Sequence, residues 1–207
     1  TERDQRAVAV GVRVSSSDDF ISGNASWKHR NFFGGGETVT AESTLSTLEQ
    51  EASLQLRKPE FLIRGQTFVS SAAARHEDSD AFEETSLNGF AGLERETLGV
   101  YTTSVGLAAE LALIGDDDDE SFFALLGLPV SLTRDTRDSP LDATSGTRVS
   151  AAVTPWVSIS GNSSGFVVGE LVGSVYQTIG TPRVVGAARA RFGAIIGGGL
   201  NDIPANK

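Results

Sequence analysis

Apolar and polar residues alternate along this chain in long unbroken runs. Tyr101, Thr103, Val105, Leu107, Ala109, Leu111 and Leu113 fall on one side of the first run; Thr102, Ser104, Gly106, Ala108, Glu110 and Ala112 fall on the other. After the acidic stretch from Gly115 to Glu120 the arrangement repeats. Phe122, Ala124, Leu126, Leu128, Val130 and Leu132 share a face, with Phe123, Leu125, Gly127, Ser131 and Thr133 opposite. A period of two marks β-strands, in which successive side chains point to opposite faces. In the first run one face is apolar and the other is small or polar and includes Glu110. Such a strand, about 10 residues long, suits the wall of a transmembrane β-barrel with its apolar face toward lipid. A hairpin of a soluble β-sandwich would carry the same alternation with the apolar face inward, and periodicity by itself leans that way.

The same period recurs along the chain and predicts eleven strands, at residues 7–15, 20–30, 38–47, 49–58, 67–75, 84–96, 101–113, 122–133, 148–157, 166–179 and 183–196. In the first, Val8, Val10, Val12 and Val14 oppose Ala9, Gly11 and Arg13. The breaks come in two kinds. One set centres on Asp18, Leu48, Asp80, Asp118 and Asn162; the alternate set includes Gly34 to Gly36, Pro59, Gly99 and Pro140. Two classes of connection, one at each end of the strands, fit an antiparallel up-and-down meander better than a Greek key. Charged residues at Glu42, Arg57, Glu94, Glu110, Arg189 and Arg191 sit on the polar side of their strands, where a barrel would have its lumen.

Composition narrows the class. The 207 residues suffice for one all-β domain, and no apolar run reaches the roughly 18 residues of a membrane helix. A net charge of −10 disfavours nucleic acid, which is bound through basic patches. Without cysteine there is neither a disulfide framework nor a thiolate metal site. His29 and His76 lack ligand-like spacing, and the acidic run lacks the spaced oxygens and central glycine of a calcium loop. Gly34 to Gly36 precedes a strand-like Thr-Val-Thr rather than a helix, so it does not cradle phosphate. No enzyme and no cofactor are expected.

Three stretches carry a resemblance. Trp27-Lys28-His29-Arg30-Asn31-Phe32-Phe33-Gly34-Gly35-Gly36-Glu37 resembles the hRN-fG-GE turn after the second barrel strand of the outer-membrane protein assembly and translocation family, the bacterial surface antigens. Thr133-Arg134-Asp135-Thr136-Arg137-Asp138-Ser139-Pro140-Leu141-Asp142, followed by Ser145-Gly146, resembles that family's RDTRDSPLxPxxG turn, with Ala143 where proline is usual. Asp202 to Lys207 looks like the lead-in to its long sixth extracellular loop. The spelling is most similar to the TamA-like autotransporter-assembly branch, rather than the BamA-like insertases.

The resemblance implies an all-β, antiparallel up-and-down transmembrane β-barrel, with about eleven of sixteen strands in this chain. It further implies a Gram-negative outer membrane, periplasmic POTRA domains in the same full-length chain, and nascent outer-membrane or autotransporter proteins as clients. An inner-membrane-anchored partner would be compatible. No secretory signal is legible, so a mature form or internal stretch is expected. Clients are expected to pair at a weak seam along the first strand, at Val8, Ala9, Val10, Gly11 and Val12. Gly11 either weakens pairing there or relieves crowding in the lumen. The motif residues are Arg30, Asn31, Gly34, Gly36 and Glu37 in the first turn, and Arg134, Asp135, Arg137, Asp138 and Gly146 in the second. A passive porin or secretion pore and a soluble all-β binding module are the alternatives.

Overall fold

A computed structural model describes residues 5–15, 20–79, 82–116, 119–160, 165–180 and 184–198. They form one antiparallel sheet of twelve strands: β1 (Arg6–Ser15), β2 (Phe20–Arg30), β3 (Thr38–Ser46), β4 (Glu49–Lys58), β5 (Gln66–Ser79), β6 (Phe82–Thr97), β7 (Tyr101–Asp116), β8 (Asp119–Gly127), β9 (Val130–Asp135), β10 (Gly146–Ser158), β11 (Gly165–Ile179) and β12 (Val184–Gly197). Each pairs with its neighbours along the chain, save that β8 and β9 do not pair with each other, and there is no Greek-key crossing.

Twelve strands occupy eleven places, because β8 and β9 lie end to end between β7 and β10. The sequence reads as one strand here, but Pro129 has no amide to donate to a ladder. The neighbouring groups bridge the gap: Leu128 N donates to Pro155 O at 3.0 Å, and Pro129 O accepts from Gly106 N at 3.1 Å. The central strands β5 to β7 are also longer than alternation alone indicates. Their extra residues are mostly polar and hold the ladder by backbone hydrogen bonds, with Arg75 joining Glu49 and Glu77 across the inner face at 3.1 and 2.6 Å. The acidic run is therefore mostly strand, with Asp116 paired to Asp119. The expected breaks at Asp18, Asp80, Asp118 and Asn162, the residue Arg183 and the stretch from Asp202 lie outside the described residues.

Register assigns the faces. The row Leu87, Leu111, Ala124 runs across β6, β7 and β8 on one side; Asn88, Glu110, Leu125 and Ser158 run across β6 to β10 on the other. The first side carries Val8, Leu54, Leu107, Leu126, Val153 and Leu171, all exposed. Leu107 is 67% exposed whereas Glu110 is 3% exposed. A single layer encloses charged residues on one side by curling toward it, so this is a section of barrel wall with a polar lumen and an apolar outer band. The lumen is not uniformly polar. Phe90 lies over Gly92 and Gly106, and Trp156 over Gly127, where an added Cβ would come within 2.6 Å of the indole. Phe166, paired with Trp156, is buried beside them.

Candidate functional site

The sheet path ends at β1 and β12, and neither has a second strand partner among the described residues. β1 offers its outward N–H and C=O groups along its whole length, which is the physical requirement for accepting an added strand. Val8, Val10 and Val12 point to the outer face and are 72–77% exposed. Ala9 and Gly11 point to the lumen, opposite Ser26 and Asn24 of β2. A Cβ on Gly11 would stand 2.5 Å from Asn24 Oδ1, so the glycine accommodates a neighbouring side chain on the lumen face. Because Asn24 can rotate away, the close approach is soft.

The first motif builds the turn from β2 to β3. Asn31 takes a left-handed conformation with φ 61°, and its side chain accepts from Gly36 N at 2.8 Å. Gly34 and Gly36 have φ of 92° and 84°, a region that L side chains rarely enter. Glu37 closes the loop. Its backbone carbonyl accepts from Phe32 N at 3.1 Å, while its buried carboxylate accepts from Gly35 N at 2.8 Å and pairs with Lys58 of β4 at 3.1 Å. Backbone donors, more than the lysine, hold this carboxyl below the usual carboxylate range. Arg30 N, in turn, donates to Gln5 O at 2.7 Å and so ties the start of β1 to the same turn. Phe32 and Phe33 pack edge to face with ring centroids 4.8 Å apart, and Phe32 also meets Trp27 and His29. Aromatic rings at the end of an apolar band are the usual girdle of a membrane barrel.

The second motif builds the turn from β9 to β10. Arg137 grips Asp135 with two bonds, Nε to Oδ1 at 2.9 Å and Nη2 to Oδ2 at 2.7 Å, and also donates to Pro140 O. Asp138 receives the backbone N–H groups of Ser139, Thr144 and Ser145 at 2.9–3.1 Å, plus the Thr144 hydroxyl. Gly146 has φ 102°, and a Cβ there would collide with the Thr136 carbonyl. Arg134 sits on the other face at the end of β9, opposite Val149. These bonds form with Ala143 at the position where the resemblance leads one to expect proline.

The donors around Asp138, led by the Thr144 hydroxyl, depress its pKa well below the ordinary carboxylate value. A depressed folded-state pKa contributes stability above the unfolded value of about 3.9, lost as pH falls through the folded value. Wild-type thermal stability in detergent should therefore decline below about pH 4, and Asp138→Asn, lacking the contribution throughout, should decline less over that window. Parallel melting curves from pH 6 downward would contradict this.

The two motifs are structural clasps at the same end of the wall; the first holds the start of β1, and neither forms its open edge. The lumen charges pair across strands as barrel interiors permit: Arg57 with Glu94 at 2.6 Å, and Arg191 with Glu170. His76 bonds Thr85, and His29 lies among aromatic rings; neither belongs to a group of metal-ligating side chains among the described residues.

Residues 31–207 match the Omp85 superfamily domain. The chain belongs to the Omp85 superfamily. No curated protein matches it. Among solved structures, BamA from Haemophilus ducreyi lacking POTRA domains 1–3 is similar over 96% of this chain and 42% of that one, with a TM-score of 0.81 and 14% identity. CdiB from Acinetobacter baumannii is similar over 95% of this chain and 39% of its own, with a TM-score of 0.63 and 11% identity. This Omp85 chain thus spans less than half the length of either solved barrel protein. The family and the partial-barrel fold expected from the turn motifs are both found. β1 and β2 precede the residues matched by the family domain, and their placement rests on register and on the fold comparison.

Proposed function

We propose that this chain is part of the outer-membrane barrel of a factor that assembles or secretes outer-membrane proteins in a Gram-negative envelope. Client strands enter at a lateral seam along β1, through the edge from Val8 to Val12. The turn spelling supports the TamA-like branch, with autotransporters as clients. The observations that support it are the Omp85 match and the register of β1, which turns Val8, Val10 and Val12 to the outer face and the small Ala9 and Gly11 to the lumen. Each hydrogen bond an incoming strand makes contributes about 0.5–1.5 kcal/mol net. A strand pairing over most of β1 therefore gains several kcal/mol without any side-chain code. That suits clients of varied sequence, with POTRA domains of the full-length chain delivering them and lipid facing the outer band.

Single cysteines at Val8, Val10 or Val12 of the full-length protein should crosslink to a cysteine-bearing client during its assembly. Cysteines at Val105 or Leu107, in the middle of the wall, should not. No native cysteine lies in these 207 residues to add background. Equal crosslinking at β1 and β7 would remove the seam from the mechanism and favour a passive pore.

A further inference from the structure

The lumen face of β9 to β12 carries a cluster outside both the clasps and the seam. Asp135, Arg148, Ser174 and Arg189 stand in register across four consecutive strands. Arg137 reaches the same place from the turn. Arg137, Arg148, Arg189, Ser150, Ser174 and Tyr176 line a cavity of about 360 Å³.

Among the described residues, charge is out of balance there. Arg57, Arg75 and Arg191 each meet a carboxylate elsewhere on this face. The carboxylate beside this cavity, Asp135, is already gripped by Arg137, and Arg148 approaches it only to 3.9 Å. Arg189 has no ion-pair partner among the described residues. Among the described residues, three guanidiniums against one carboxylate leave two positive charges over, within a chain of net charge −10. Arg148 and Arg189 flank Ser174 from the adjacent strands, about 10 Å apart at the backbone. Like charges so placed repel, and a doubly hydrogen-bonding oxygen group between them removes the repulsion.

We propose that this cavity is an oxyanion-binding site in the barrel lumen, with Arg148 and Arg189 as the two arms and the Ser174 hydroxyl between them. The oxyanion is either free phosphate or a carboxylate carried by polypeptide in the same lumen. The site is independent of the seam and stands whether or not clients pair at β1.

Phenylglyoxal labelling of the full-length protein in detergent, read by peptide mass spectrometry, tests this with Arg13 as the reference. Reaction of Arg148 and Arg189 in phosphate-free buffer, slowed several-fold by saturating inorganic phosphate while Arg13 is unchanged, identifies a free-anion site. Slow reaction without phosphate that is restored by amidating protein carboxylates identifies a polypeptide carboxylate as the occupant. Rates like that of Arg13 under both conditions overturn the site, as does protection that neither phosphate nor amidation alters. For a free-anion site, Arg148→Gln should abolish the phosphate protection of Arg189 and Arg148→Lys should retain part of it; unchanged protection in Arg148→Gln would also overturn the site. For a carboxylate occupant, Arg148→Gln should instead speed labelling of Arg189 before amidation, and an unchanged rate would overturn it.

Discussion

Leu107→Arg should destabilise the complete barrel by about 2–4 kcal/mol in lipid vesicles, measured by reversible denaturant titration. Leu107 lies midway along β7 on the outer face and is 67% exposed in the bare protein. In water, an arginine at so open a position would change stability by only about 0.5 kcal/mol. In a bilayer it must either desolvate its charge or thin the membrane, so the cost itself reports the solvent. Against a net stability of about 5–15 kcal/mol this loss is large. The lumen control matters as much. Ala108 faces inward, but it pairs with Phe90 and Gly127, and the Trp156 indole covers that glycine. An arginine at Ala108 would have to displace an aromatic ring. Ser104, between Glu94 and Ser131, is the cleaner site, and Ser104→Arg should cost far less because it meets a polar lumen row in which Glu94, already bridged to Arg57, can share a second guanidinium. Equal costs at positions 107 and 104 would mean that the apolar face does not meet lipid.

Much of the wall was legible because a β-barrel needs little beyond alternation. That Leu107 and Glu110 lie on opposite faces of β7 follows from period two alone, and one residue of slip would have exchanged those faces. What alternation could not decide was whether the apolar face met lipid or a second sheet. That depended on the turns, since Asn31, Gly34 and Gly36 adopt left-handed backbones that spell a particular loop rather than loops in general. The break at Pro129 was readable in principle, since an imino acid cannot donate within a ladder. It was missed because Leu128 and Val130 keep the apolar rhythm across it. The glycine and aromatic pairs in the lumen and the arginine cavity have a different cause. Gly127 meets Trp156, and Ser174 meets both Arg148 and Arg189, only after register is set between residues 15 to 29 positions apart in sequence. Such juxtapositions leave no local signal. Alternation places Arg189 among the lumen charges, but that no carboxylate among the described residues meets it shows only with β11 beside it.

A disulfide joining β1 to the last strand of the full-length barrel should stop client assembly, and reductant should restore it. The cysteine on β1 belongs at Val8 or Val10, whose side chains stand clear of the lumen and pair with Trp27 and Ala25 on the side already occupied. The bond requires Cα atoms about 4.4–6.8 Å apart, so it forms only where the two edges actually meet, and its yield measures closure. Once formed, it removes the edge without touching the turn clasps, the lumen charges or the outer band. The effect should therefore appear in assembly rate and not in heat stability, which should hold or rise. A matched disulfide between β6 and β7, at Leu87 and Leu111, joins strands already paired and should leave assembly unchanged. If the seam-locked protein handles clients at the normal rate, β1 is only wall, and the proposed activity lies elsewhere in the full-length protein or in the lumen as a pore. If both disulfides block assembly, the barrel must flex as a whole rather than open at one edge.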